Sequence, residues 1–371
     1  LQIDSDLEDS EDDIPADDKY KNSGLAVGFV SDRAFVSRGN KIGVFKITED
    51  NQLEFSTTIE NIVTPGGNFF EKPSQMMLHQ QDEKMLMLNE NDKNSIMCMD
   101  MNRGEIVEEW KTSDVGYAVK KVVPEHRLAQ LEPVQTFVGM NAKSAFRIDP
   151  RISSKEKQAN NFGFRYQRST DPSFSCAATT TKGDLIMGSN KGDVRLFNHN
   201  QIQKENRNQD MKAKAKNQLR LAGDPVLGVD VTMNGDWILA TCETYLMVIP
   251  VNVDDVDGFE KSLTGDKRKP GRRLELTRDH LWEMGGKLSF TVAYFNRDYD
   301  GNEKSIVTST GPYVITWDFR QVTRGVLNKY QIKQYSDNIV AEQFKFGEDK
   351  AIIVALPDDV KIAKRIVKST Q

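Results

Sequence analysis

Groups that ligate metals or attack substrates are scarce here: three cysteines and four histidines are spread over 371 residues. Cys98, Cys176 and Cys242 lie far apart and are odd in number, which argues against a disulfide framework. They fall in apolar stretches, where a free thiol acts as a small apolar filler. His79, His126, His199 and His280 have no second His, Cys or carboxylate beside them at ligand spacing, so each reads as a surface or turn histidine. No nucleophile elbow occurs, and no glycine string opens a helix. GDLIMGS has the glycine spacing of a phosphate loop but lacks the lysine and the following helix, so it reads as a strand. No catalytic residue, cofactor or metal is expected.

Long apolar runs are missing too. Nothing approaches a membrane span, and there is no charged-then-apolar leader and no Asn-x-Ser/Thr acceptor. The sequence therefore reads as cytosolic or nuclear. Basic residues are absent from positions 1–18, which hold nine Asp and Glu, while the whole chain carries −5. So acidic a block has almost nothing to bury, and residues 1–22 are expected to be a disordered tail or linker. Ser5 and Ser10 lie among these acids and are candidate phosphorylation sites. The chain begins at Leu1 with linker-like sequence and reads as the C-terminal part of a longer protein.

Short alternating stretches rich in Val, Ile, Phe and Thr fill the rest, and helical periodicity is nearly absent. The clearest unit is GDPVLGVDVTMNGDWILATCETYLMVIPV, three strands joined by tight turns. Its Asn234-Gly235 predicts a type I′ hairpin with positive φ at both positions. Aligned on a polar first turn (SDR, QDEK, PEHR, TKGD, NGD, DGNEK, GEDK), similar units recur about every fifty residues, near the WD period. The expectation is an all-β, seven-bladed propeller over 23–371, with blades near 24–59, 75–112, 117–166, 173–221, 226–276, 288–335 and 339–368.

A fourth strand is visible after most units but not after the last. Ring closure therefore needs a strand from the N-terminal segment, or the last blade stays three-stranded. Only one literal Trp-Asp pair occurs, Trp317-Asp318, so cohesion is expected from apolar packing. Methionines clustered in the second unit alternate as core fillers would, with a Met-lined partner groove as the other reading. Trp237 is expected to be a buried anchor between two blades. Residues 150–172 and 252–288 read as long projecting loops.

The strings GNKIGVFKI, QTFVGMNAKSAFRIDPR, SNKGDVRLF, GDPVLGVDVTMNGDWILATCETYL, IVTSTGPYVITW and FGEDKAIIVALPDDVKI resemble the C-terminal domain of the vacuolar import and degradation protein 27 family. The resemblance runs from about Ser23 to Val360. It implies a eukaryotic, cytoplasmic propeller preceded by a PH-like region, acting as an adaptor in delivering proteins for vacuolar degradation. The insertions near 199–217 and 252–271 depart from that pattern, being longer or more basic, which puts partner choice in doubt.

One feature stands out from the scaffold. KENRNQDMKAKAKNQLR, KSLTGDKRKPGRR and FRQVTRGVLNK occupy the third-to-fourth-strand connections of three successive units, which strand alternation sends to one face. Lys212, Lys214, Lys216, Lys267, Arg268, Lys269, Arg272, Arg273 and Arg324 are thus candidates for one anion-binding face. The favoured function is a non-enzymatic adaptor for protein partners. The alternative is an anion-reading module for phosphoinositide membranes or phosphoproteins. Nucleic acid is disfavoured, since the basic loops lack aromatics for base stacking. A propeller enzyme with a channel centre fits the ligand inventory worst.

Overall fold

The computed structural model describes residues 20–70, 72–89, 92, 94–112, 118–153, 157–167, 171–205, 214–297, 301–349 and 351–364. Ser5, Ser10, Lys212 and the acidic segment 1–19 lie outside them.

Seven antiparallel sheets follow one another around a central channel. Their innermost strands are Asn22–Val27, Gln75–His79, Lys121–Pro124, Phe174–Thr179, Gly228–Val231, Tyr294–Phe295 and Ala341–Phe344. Each touches the next, and the last returns to the first, so the ring is closed. Six sheets have four strands. Their outer members are Leu53–Ile59, Glu105–Lys111, Gln158–Arg165, Asn217–Arg220, Arg272–Leu274 and Tyr330–Gln334. The seventh has three strands among the described residues, ending at Val360–Lys364. The molecule is a seven-bladed β-propeller.

Period-two alternation builds the walls between blades. In the second blade Met85, Met87, Met97 and Met99 pack toward the first blade, while Leu86, Leu88, Ile96 and Cys98 pack toward the third. Every interblade wall holds such an apolar cluster, including the one where Val27, Val36 and Ile47 meet Ile353 and Ala355. Burial raises the thiol pKa of Cys98 to about 12 and of Cys176 to about 11, and raises that of Cys242 as well, so these cysteines are inert fillers.

Four local expectations need correction. Residues 150–172 are not all loop, because Gln158–Arg165 is the third blade's outer strand. Phe162 and Phe164 are both buried there, and Phe164 stacks on Phe197 with ring centroids 4.4 Å apart. At Asn234-Gly235 only the glycine takes positive φ (+77°). The Asn234 side chain accepts from Asp236 N–H and Thr232 Oγ1–H, and the Glu303 carboxylate takes Met233 N–H, so the turn is fixed without a left-handed asparagine. Trp237 is only half-buried, with the Arg272 guanidinium over its ring at 4.6 Å, and the fully buried tryptophan of that wall is Trp317. His79 is not a surface histidine: it is buried against Phe137, with Nε2 3.2 Å from Gln135 O, and burial lowers its pKa.

Candidate interaction surfaces

The turns between inner and second strands and the connections between third and outer strands share one face, here called upper. Lys182, in a turn of the fourth blade, pairs with Asp257, in the long connection of the fifth, at 3.2 Å. Asp236 O accepts from Val251 N–H within the fifth blade, again joining turn to connection.

Described parts of the basic connections touch their neighbours. Ser262 Oγ donates to Lys216 O (3.4 Å), Arg268 Nη2 to Gln218 O (3.1 Å) and Arg272 Nη2 to Thr323 O (2.8 Å), linking the fourth, fifth and sixth blades. Not all nine predicted cations are equally available. Lys267 pairs with Asp254 at 3.2 Å and Arg273 with Glu275 at 2.5 Å, while Arg272 also covers the Trp237 ring at 4.6 Å. Lys214, Lys269 and Arg324 are exposed. Sequence reasoning missed a cleft of about 250 Å³ in this region, with Leu219, Met247, Ile249 and Pro270 along it and Arg220, Arg268 and Lys269 at its lip. The pairing of apolar and basic residues there arises between blades, so no single stretch of sequence displays it.

The central channel is a second surface that sequence reasoning did not single out. It has a volume of about 380 Å³ and apolar walls that include Leu25, Met76, Val122, Ala177, Val229 and Val292. Its upper end is polar. Arg127 Nη1 donates to Asp230 Oδ1 at 2.6 Å, and Arg127 Nη2 lies 3.9 Å from Glu303. Arg297 spans the end from the sixth blade to the third, 3.4 Å from Gln130 Oε1, with its guanidinium 5.4 Å from the Phe29 ring centroid. Burial, then the nearby Arg127 charge, pulls the Arg297 pKa down. Burial pushes the Glu303 carboxyl up, against the pull of Arg127.

Phe29 is held in place from the second blade. Asp82 Oδ2 accepts from the backbone N–H of Phe29, Val30 and Ser31 at 2.8, 2.8 and 3.0 Å. To reach them, Gln80, Gln81 and Asp82 all take positive φ (50°, 57° and 64°), a strained run that this set of hydrogen bonds holds in place. Phe29 then packs on Phe346, with centroids 5.5 Å apart.

Between the outer strand of the fifth blade and the inner strand of the sixth, a short helix Arg278–Glu283 presents Trp282, which is 85% exposed. The helix is pinned by Tyr330, whose hydroxyl lies 2.7 Å from His280 Nδ1 and accepts from Thr277 N–H at 2.7 Å. Of the other histidines, His199 is half-buried beside Gly183 O, and His126 lies 3.5 Å from Glu132. Among the described residues no three His, Cys, Asp or Glu side chains gather as a metal site, and no helix is long and apolar enough to cross a membrane.

The family description "VID27 C-terminal WD40-like domain" matches residues 20–370. The chain is 40% identical over 356 residues to vacuolar import and degradation protein 27 of Schizosaccharomyces pombe, covering 94% of this chain and 42% of that protein. It is 35% identical over 360 residues to the Saccharomyces cerevisiae protein of the same name, covering 92% and 44%. The chain thus spans less than half the length of these curated relatives. Among solved structures, the β-propeller domain of Myceliophteria thermophila Cps50 (Swd1) is similar with a TM-score of 0.62 at 10% identity, covering 93% of this chain and 96% of that one, a likeness of fold alone.

Proposed function

Because this chain belongs to the vacuolar import and degradation protein 27 family, we propose that it is a non-enzymatic adaptor whose propeller binds other proteins in the cytoplasm, in a pathway of vacuolar import and degradation. The observation that carries this reading is Trp282. A tryptophan left 85% in water forgoes the stabilisation that burial of its ring brings, and large aromatics held on rigid supports are the usual anchors of protein interfaces. Its helix is fastened to Tyr330, so the indole is presented by the ring rather than by a loose loop. The test is quantitative interaction proteomics on the full-length protein, comparing wild type with Trp282→Ala. Partners that drop out with the substitution, and survive high salt, support the reading. An unchanged partner set overturns Trp282 as the anchor.

A second reading, recognition of phosphoinositide membranes or phosphoproteins, draws on the contacts that bring the basic connections of blades four to six together beside the cleft. Lys214, Lys216, Lys269 and Arg324, with Arg268 at the cleft lip, are its core, and Lys212, Lys267, Arg272 and Arg273 complete it. Charge reversal of Lys267, Arg268 and Lys269 to glutamate then abolishes capture of vesicles containing anionic lipid. Attraction between exposed charges also fades as the Debye length falls from about 10 Å at 0.1 M salt to about 3 Å at 1 M. Binding indifferent to both would remove this reading.

A further inference from the structure

We propose that the central channel is a binding site for an acidic side chain of an extended peptide, with the carboxylate seated between Arg127 and Arg297 and the flanking residues along the apolar wall. The inference rests on the adaptor reading and adds a site separate from Trp282 and from the basic face.

Arg127 is the first reason. Its side chain is 3% exposed, yet only Nη1 has a hydrogen-bond acceptor, and Nε and Nη2 are buried without one. Buried guanidinium donors left unmade are costly, and an acceptor arriving through the channel would satisfy them. Arg297 is the second. The one hydrogen bond of its guanidinium among the described residues goes to a neutral amide at 3.4 Å, and it forms no ion pair there, with the Arg127 charge nearby and Asp230, already bonded to Arg127, as the near carboxylate. An anion between the two relieves that like-charge contact.

The channel then selects the kind of anion. Asp230 and Glu303 already stand beside Arg127, so a singly charged carboxylate is better tolerated than a doubly charged phosphate. A planar carboxylate also matches the guanidinium fork. The walls favour an apolar stem, and Phe29 and Phe346 add aromatic surface at the same end. A volume of about 380 Å³ lies within the range of ordinary ligand pockets, about 300–1,000 Å³. The lining residues Leu25, Met76, Lys121, Ala177 and Val292 are only half-buried, which leaves the cavity accessible to solvent.

Met76 and Met77 line the channel and supply the probe, through carbon-13 labelling of their methyl groups. The intact chain is titrated with a short capped peptide carrying glutamate between leucine and phenylalanine, and with glutamine, lysine and phosphoserine counterparts. The glutamate peptide is expected to shift the Met76 and Met77 resonances saturably, and the glutamine and lysine peptides to bind about tenfold to a hundredfold more weakly. Arg297→Gln, which breaks no ion pair among the described residues, should cause the same loss with an unchanged melt. Equal binding of the glutamate and glutamine peptides, full binding by Arg297→Gln, or tighter binding of phosphoserine each overturns the proposal. A protein that keeps channel binding but whose partner set ignores Trp282→Ala overturns the Trp282 anchor alone. Loss on Lys267, Arg268 and Lys269 reversal, but not on Arg297→Gln, assigns the peptide to the basic face instead.

Discussion

Arg127 of the third blade reaches past the fourth to Asp230 of the fifth, Nη1 to Oδ1 at 2.6 Å, with both side chains 3% exposed. Asp230 Oδ2 accepts in turn from Phe295 N–H of the sixth blade at 2.9 Å. One carboxylate thus ties three blades at the end of the channel. Removing the arginine alone strands a buried anion, a loss that costs about 3–5 kcal/mol, whereas removing both charges leaves no ion behind. In denaturant titrations Arg127→Met should therefore be severe, and the double variant with Asp230→Asn should cost less than the two single losses combined. Strict additivity would show that the two residues act independently.

Glu342 gives the propeller a pH dependence. Desolvation by burial raises its carboxyl pKa from 4.5 to about 7, although Ser309 Oγ donates to it at 2.6 Å and Thr291 Oγ1 also donates. Above the folded value both states are ionised and the folded one bears the desolvation. Between the two values the unfolded chain has already lost its proton while the folded chain holds it. This group's stabilisation is therefore complete below pH 4.5 and is lost as pH rises through about 7. Glu342→Gln should stabilise the protein at pH 8 by up to about 3 kcal/mol and change little at pH 4.5. Equal shifts in melting temperature at both pH values would contradict this.

Two tryptophans share the wall between the fifth and sixth blades but not its weight. Trp317 is fully buried, packed on Tyr330 and Phe290 with centroids 5.3 and 6.4 Å apart. Trp237 is half-buried, edge-on to Phe319 at 6.1 Å. Trp317→Ala should cost about 3–5 kcal/mol, the range for a large aromatic removed from a core, and Trp237→Ala distinctly less. Chemical unfolding of the two variants side by side reads the order, and a larger loss at Trp237 would reverse the assignment.

The propeller was legible because its period is local: each polar turn and its flanking alternation lie within one unit, and the Met85/Leu86 alternation already separates two walls. The outer strand at Gln158–Arg165 was hidden by polar flanks around Phe162 and Phe164. The basic connections could be placed on one face by strand parity, yet the sequence could not tell that Lys267 and Arg273 already have carboxylate partners. The charged end of the channel was illegible. Arg127, Asp230 and Arg297 are far apart in sequence and carry no motif, and only closure of the ring brings them to one opening.

That closure depends on a seam with no shared sheet among the described residues. At the turn between the second and third strands of the seventh blade, Asn22 of the first blade donates its backbone N–H to Pro357 O at 2.8 Å and Nδ2 to Leu356 O at 2.8 Å. Arg38 Nη2 holds Asp358 at 3.0 Å, and Lys21 pairs with the same carboxylate. The apolar cluster of Val27, Val36, Ile353 and Ala355 lies behind them. Asn22 is 6% exposed, so Asn22→Ala leaves the Leu356 carbonyl without its buried donor, a penalty of about 1–3 kcal/mol. Because the seam is a polar clasp over one apolar wall, the loss should appear first as local opening. Hydrogen exchange of Asn22→Ala is expected to quicken in Asn22–Val27 and Ala351–Ala355 while Leu185–Ser189 and Trp237–Thr241 keep their protection. Uniform acceleration around the ring would mean that the propeller opens only as a whole and that Asn22 is no seam.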